Sequence, residues 1–260
     1  MLSSGKILNQ GDVFYVGVHI ENYDSKSKTG RVCIRDSIDD YYGGIISQGN
    51  GECAVFNVKA AEIIKKETSN FLTNGYVEEV KPGVAEVYFP TNSMYSYKNL
   101  PSLLKPHEGI IQVSLNYRQT SQITATITVP DEHQPILVQE PSPIYVSAVK
   151  SIHRMQDAYT LNLELLLKKQ TASRIFSPDF LEENKIYFRT ELAPKRMSCS
   201  VNGESVADNV IFENERLIKC SSIINLAGEA LQSYPLIITL DYGVALEKQY
   251  PFGIEVSEKA

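Results

Sequence analysis

The feature that most constrains this chain is a side-chain period of two that recurs along its length. Ile111, Val113, Leu115 and Tyr117, then Ile123, Ala125, Ile127 and Val129, put apolar groups on one face and polar groups on the other. That is the pattern of a half-buried β-strand. Val16, Val18 and Ile20 repeat it near the start, after the mixed apolar run Val13 to Tyr15. Residues 53–58, 84–89, 144–152 and 158–168 read as further strands. Residues 31–35 read as a short partner of the first strand, across a loop built from Asn22, Tyr23, Asp24, Ser25 and Gly30. Residues 110–117 and 121–129 read as a pair joined by a short polar turn. Residues 237–242 and 248–256 read the same way. Many short strands between turn residues predict an all-β, antiparallel sandwich or barrel. Helix is scarce. Residues 59–71 fit an amphipathic helix with Ala60, Ala61, Ile63, Ile64 and Phe71 inward, and residues 57–64 fit a continuation of the preceding strand equally well. Residues 226–231 fit a helical turn.

Composition narrows the function classes. The 260 residues are 43% apolar and 22% charged, which is globular rather than disordered. They are enough for one large domain or two of ordinary size. With 25 Lys and Arg against 31 Asp and Glu, the net charge is −6. A nucleic-acid binder needs a basic surface, so nucleic acid is not an expected partner. No apolar run approaches the roughly 18 residues of a membrane span, so membrane insertion is not expected. The first 17 residues hold one Lys and no apolar core segment, so no signal peptide is legible there. A trimmed exported protein would read the same.

Two proline clusters, Pro130 with Pro135 and Pro141 with Pro143, are the densest punctuation in the chain. Proline removes ladder donors and stiffens a connector. The expected organisation is therefore a domain over 1–135, a linker over 136–143 and a second domain over 144–260. The second half also echoes the first. Each ends in an apolar alternation, followed by a polar turn and another alternating strand. Each opens with a long strand and a Lys/Ser/Thr-containing loop, and each holds two cysteines at similar separation. A duplicated domain accounts for this. Shared β physics, with no duplication, accounts for it too.

The cysteines lack a Cys-x-x-Cys spacing, and His19, His107, His133 and His153 are scattered, which gives a zinc site little support. Bridges Cys33–Cys53 and Cys199–Cys220 fit two sandwiches in an oxidising compartment. Four cysteines allow three connectivities, and buried free thiols are the other reading. Asp36, Asp39 and Asp40 precede Gly43 and Gly44 and offer part of a calcium ligand set, although the spacing is not that of an EF-hand; a solvated turn is the plainer reading. Calcium is the only cofactor this pattern suggests. Tyrosine (15) outnumbers Phe (9) and Trp is absent, with clusters at Tyr41 and Tyr42, Tyr88 and Phe89, and Tyr95 and Tyr97. Such residues serve glycan stacking, wet interfaces or ordinary sheet packing. No Gly-x-Ser-x-Gly, phosphate-loop, Gly-x-Gly-x-x-Gly or His-Glu-x-x-His motif occurs, and the chain reads as a non-enzyme without catalytic residues.

The stretch Tyr234-Pro-Leu-Ile-Ile-Thr-Leu-Asp-Tyr-Gly243 resembles the final hairpin of immunoglobulin-like domains in archaeal cell-surface proteins, of the CARDB and S-layer-associated type. Val16-Gly-Val-His-Ile-Glu-Asn22, followed by Gly30-Arg-Val-Cys-Ile34, is similar to the opening of such domains. Cys199 and Cys220, ahead of a Tyr-x-Leu strand, are similar to surface proteins of small-genomed archaea. The resemblance implies two tandem immunoglobulin-like β-sandwiches, a place at the cell surface or outside the cell, and no catalytic residues. The expected function is a structural protein that self-associates into a layer, filament or shell. A virion capsid, decoration or tail protein of similar fold, and a glycan- or protein-binding adhesion module, are the alternatives. The partners expected are copies of the chain itself and other surface or virion proteins. Residues 1–10 precede the first strand and offer only Leu2, Ile7 and Leu8 as apolar handles. They are expected to be claimed by no domain core and to be available to an edge strand of a neighbouring subunit.

Overall fold

The computed structural model describes residues 7–45, 51–70, 73–91, 94–101, 106–131, 133–156, 158–206, 208–225 and 231–256. The chain is all-β. The strands are β1 (Ile7–Asn9), β2 (Val16–Asn22), β3 (Lys28–Asp36), β4 (Glu52–Val58), β5 (Glu62–Asn70), β6 (Thr73–Lys81), β7 (Gly83–Phe89), β8 (His107–Val129), β9 (Val138–Gln139) and β10 (Ile144–Arg154). They continue with β11 (Tyr159–Lys169), β12 (Arg174–Phe176), β13 (Lys185–Leu192), β14 (Lys195–Arg196), β15 (Ser198–Val201), β16 (Glu204–Val206), β17 (Asn209–Ile211), β18 (Glu215–Ile224) and β19 (Gln232–Glu255). Among the described residues the one helical element is a 3-10 turn at Asp40–Tyr42.

The chain divides into two compact units, residues 1–117 with 246–260, and residues 118–245. It leaves the first unit inside β8 and returns to it inside β19. The division therefore falls within two strands rather than at 136–143. The proline-rich stretch is tied to the second unit by side-chain bonds. Gln134 accepts from the Lys150 amide at 2.6 Å and donates to its carbonyl at 3.1 Å. Gln139 does the same with Val146 N and Ile144 O. The buried Lys150 ammonium donates to Asp131 O at 2.7 Å and to Thr128 O at 3.4 Å.

In the first unit β4, β3, β8 and the end of β19 lie side by side, and β1 runs parallel to β19 with Leu8 opposite Ile254. A second sheet consists of β2 and β7, in register from Val16 opposite Phe89 to Asn22 opposite Gly83. Inward side chains of both sheets, including Val16, Ile20 and Phe89 from one and Val32, Ile34, Phe56 and Ile111 from the other, share one buried cluster, so the unit packs as a β-sandwich. In the second unit β10, β11, β18, β15 and β16 form an antiparallel sheet. Beside the first part of β19 lies β13, followed by β14. Leu161, Leu163, Leu165 and Leu167 of β11 are all buried, as are Leu236, Ile238 and Leu240 of β19.

Three expectations are corrected here, and one open alternative is decided. Residues 31–35 do not pair with the first strand: β3 pairs with β4 and β8, and β2 takes β7. The loop that leads out of β2 is held by Asn22, a buried side chain whose Nδ2 donates to the carbonyls of Lys26 and Lys59, both at 2.8 Å. Residues 118–120 and 243–247 are not turns, because β8 and β19 run through them. Cross-strand partners hold the extended backbone: Arg118 Nε donates to Asp241 at 2.9 Å, and Ser121 bonds the Tyr242 hydroxyl at 3.1 Å. Residues 62–70 form a strand, β5, paired with β6 from Glu62 opposite Lys81 to Asn70 opposite Thr73. The helical option for 59–71 is thereby excluded. Finally, the amino-terminal stretch does contribute to a core, since Leu8 is buried in the first unit's cluster and Gln10 N donates to Glu255 O at 2.8 Å. Residues 226–230, where a helical turn was expected, lie outside the described residues.

Both expected disulfides form. Cys33–Cys53 joins directly opposed residues of β3 and β4, and Cys199–Cys220 does the same for β15 and β18. Disulfides persist in oxidising compartments, so the chain belongs to a non-cytoplasmic, oxidising environment. No helix among the described residues is long and apolar enough to cross a membrane.

Candidate functional site

The residues with the most chemistry to offer lie on the outward face of the β2–β7 pair. Strand alternation sends Val16, Val18 and Ile20 towards the core, and therefore sends Gly17, His19 and Glu21 outward. On β7 the same rule exposes Val84, Glu86 and Tyr88. Register sets Gly17 against Tyr88, His19 against Glu86 and Glu21 against Val84. His19 thus lies between two carboxylates, with Nε2 3.3 Å from Glu21 Oε1 and Nδ1 3.5 Å from Glu86 Oε1. Each carboxylate is held from its other side by a tyrosine. Tyr23 donates its hydroxyl to Glu21 Oε2 at 2.7 Å, and Tyr88 donates to Glu86 Oε2 at 2.5 Å. The Tyr23 hydroxyl, and then His19, hold the Glu21 carboxyl below the usual range. Tyr88, and then His19, do the same for Glu86. The two phenols are pushed up in return by the carboxylates they bond. Tyr15 closes the row, its ring edge-on to Tyr88 at 6.0 Å. Tyr15 and Tyr88 remain 61% and 52% exposed, open to an incoming ligand.

A cavity of about 600 Å³ adjoins this row, lined by Val16 to His19, Glu21 and Tyr23 with Ile111 and Val113 of β8 and Lys248 and Tyr250 of β19. Its lining includes no residue of β7, so it follows the edge of β2 that has no strand partner among the described residues. Apolar walls with a few converging polar groups are the usual make-up of a ligand site, and this volume lies in the usual range.

The carboxylates singled out in the sequence have other partners. Asp36 is buried inside the first unit, accepting from Ile38 N at 2.9 Å, from Ile45 N at 3.0 Å and from the Tyr97 hydroxyl. Burial pushes its carboxyl up, against the pull of those bonds. Asp39 caps the 3-10 turn through the Tyr41 amide at 2.9 Å, and Asp40 is the turn's first residue. The three do not converge, and no group of three His, Cys, Asp or Glu side chains able to hold a metal occurs among the described residues. Of the tyrosine clusters, Tyr95 and Tyr97 are core residues: Tyr97 stacks on Phe14 and Phe252 and presses its ring against Gly44, whose φ of 84° a side chain would rarely adopt. Phe89 is buried as well, while Tyr41 is exposed and edge-on to Tyr42. In the sequence His19 stood out only as a scattered histidine and Tyr23 only as a loop residue, and Tyr15, Glu21 and Glu86 were assigned no site. For all but Glu86 the signal was there, at odd positions that interleave with the apolar Val16, Val18 and Ile20.

No family model, curated protein or solved structure matches this chain.

Proposed function

We propose that this chain is a non-enzymatic structural subunit of an extracellular assembly. The observation behind the reading is the β5–β6 hairpin. Its two nine-residue strands pair only with each other among the described residues. Near its base Ile63 and Val80 face each other across the ladder and both are exposed, with Lys65 and Glu78 as the next outward pair at 3.6 Å. A two-stranded ribbon alone is marginally stable in water and gains from a third strand or an apolar cover. Its open edges offer unpaired donors and acceptors to another chain. The two disulfides suit life outside the cell, and the resemblance to immunoglobulin-like surface domains points the same way.

Sedimentation velocity and electron microscopy test the reading. The full chain is expected to form concentration-dependent oligomers, and a variant with 62–81 replaced by a short Gly-Ser turn is expected to stay monomeric with both units folded. A full chain that remains monomeric at every accessible concentration refutes it.

A further inference from the structure

We propose that the outward face of β2 and β7, with the cavity along β2's edge, binds a neutral oligosaccharide, and that Tyr88 is its stacking platform. The platform depends on one glycine. A Cβ at Gly17 would stand 3.1 Å from Cε1 and 3.3 Å from Cδ1 of the Tyr88 ring, tighter than most real contacts. Glycine lets the ring lie down against the β2 backbone, with half of the side chain's surface left to solvent. Its hydroxyl is tied to Glu86, so the ring does not have to be ordered when a ligand arrives. Tyr15 widens the apolar patch at one end. A pyranose offers a flat C–H face to such a surface and a rim of hydroxyls to its surroundings.

The rim has partners. Glu21 Oε2 and Glu86 Oε2 each accept from a tyrosine hydroxyl, and a neutral His19 ring donates to only one of the two Oε1 atoms beside it, so both carboxylates retain lone-pair capacity for a sugar hydroxyl. Both carboxyls are held below their usual range and so stay ionised acceptors at neutral pH. From Tyr15 to Tyr23 the row covers eight residue-to-residue steps, about 26 Å at about 3.3 Å per step, which suits several sugar units rather than one. Two carboxylates on the face and a net charge of −6 on the chain disfavour sulfated or uronic polymers. Lys248 in the cavity wall offers a donor for a ring or glycosidic oxygen. This site does not use the β5–β6 hairpin, so it stands or falls separately from the assembly reading.

The test is an NMR titration of the full chain with cellotetraose, mannotetraose and tetra-N-acetylchitotetraose, and with a heparin tetrasaccharide as the anionic probe. At least one neutral tetrasaccharide is expected to shift the amides of 15–23 and 84–88, with a dissociation constant in the millimolar range or below. Tyr88→Ala is expected to weaken that binding about tenfold or more. Gly17→Ala, which lifts the ring, is expected to weaken it while the remaining spectrum shows the fold intact. Silence from all three neutral probes at about 10 mM, binding indifferent to Tyr88→Ala, or binding of the heparin fragment alone overturns the proposal.

Discussion

Replacing Tyr97 by Phe removes one hydroxyl and little else, which makes it a clean probe of the buried network in the first unit. Tyr97 is 1% exposed and Asp36 4% exposed, so neither end of their hydrogen bond can turn to water. The phenylalanine ring keeps the stacks on Phe14, 5.3 Å away, and Phe252, 5.8 Å away, so lost packing contributes little. A hydrogen bond to a charged group contributes about 1.5–3 kcal/mol. Asp36 retains two backbone donors, so a loss of about 2 kcal/mol is expected. With an m-value near 2–3 kcal/mol/M, the urea midpoint of the first unit should fall by about 0.7–1 M, read by tyrosine fluorescence. The pH dependence adds a second check. The Asp36 pKa is raised from its ordinary 3.8, chiefly by burial, so its contribution is full below that value and lost as pH climbs through the folded-state pKa. Removing Tyr97's hydroxyl removes a bond that lowers this pKa, which raises it further. The destabilisation should therefore be largest at neutral pH and shrink towards about pH 3. A neutral-pH loss under about 0.5 kcal/mol, or one equal at both pH values, refutes the reasoning.

Other outcomes follow from the same structure. Cys199→Ser with Cys220→Ser opens a closure spanning 21 residues and should cost the second unit about 3 kcal/mol in chemical denaturation, with reduction of the native protein giving a comparable loss. Leu8→Ala should destabilise the first unit by about 2–4 kcal/mol, because Leu8 is a core side chain. A thermal transition unmoved by that change would show the amino-terminal strand to be dispensable. Lys150→Ala leaves the Thr128 and Asp131 carbonyls without their ammonium donor, so limited proteolysis should begin cutting between 131 and 139 only in the variant.

The sequence by itself determined that the chain is built from half-buried strands, because a period of two is a local property of where side chains point. It also held the continuity of the longest strands. From Ile111 to Val129 the buried positions stay odd through Gln119, and in β19 the large apolar side chains Leu236, Ile238, Leu240, Tyr242, Val244, Leu246, Tyr250, Phe252 and Ile254 keep to even positions, so the sequence phase does not reset as a turn would require. Which strand pairs with which could not be read in this way. An alternating strand offers the same ladder to any partner, and the choice of β7 for β2, with β3 sent to the other sheet, goes with contacts far apart in sequence, such as that of Asn22 with the Lys59 carbonyl 37 residues on. The cysteine pairs were legible as candidates, but only the register that sets Cys33 opposite Cys53 and Cys199 opposite Cys220 selects one connectivity of three. The fate of the tyrosines was likewise decided in three dimensions. Tyr95 and Tyr97 fell inside the first unit with Asp36 beneath them, while Tyr88 came to lie over Gly17, because burial depends on which face of which sheet a residue meets and not on its neighbours in sequence.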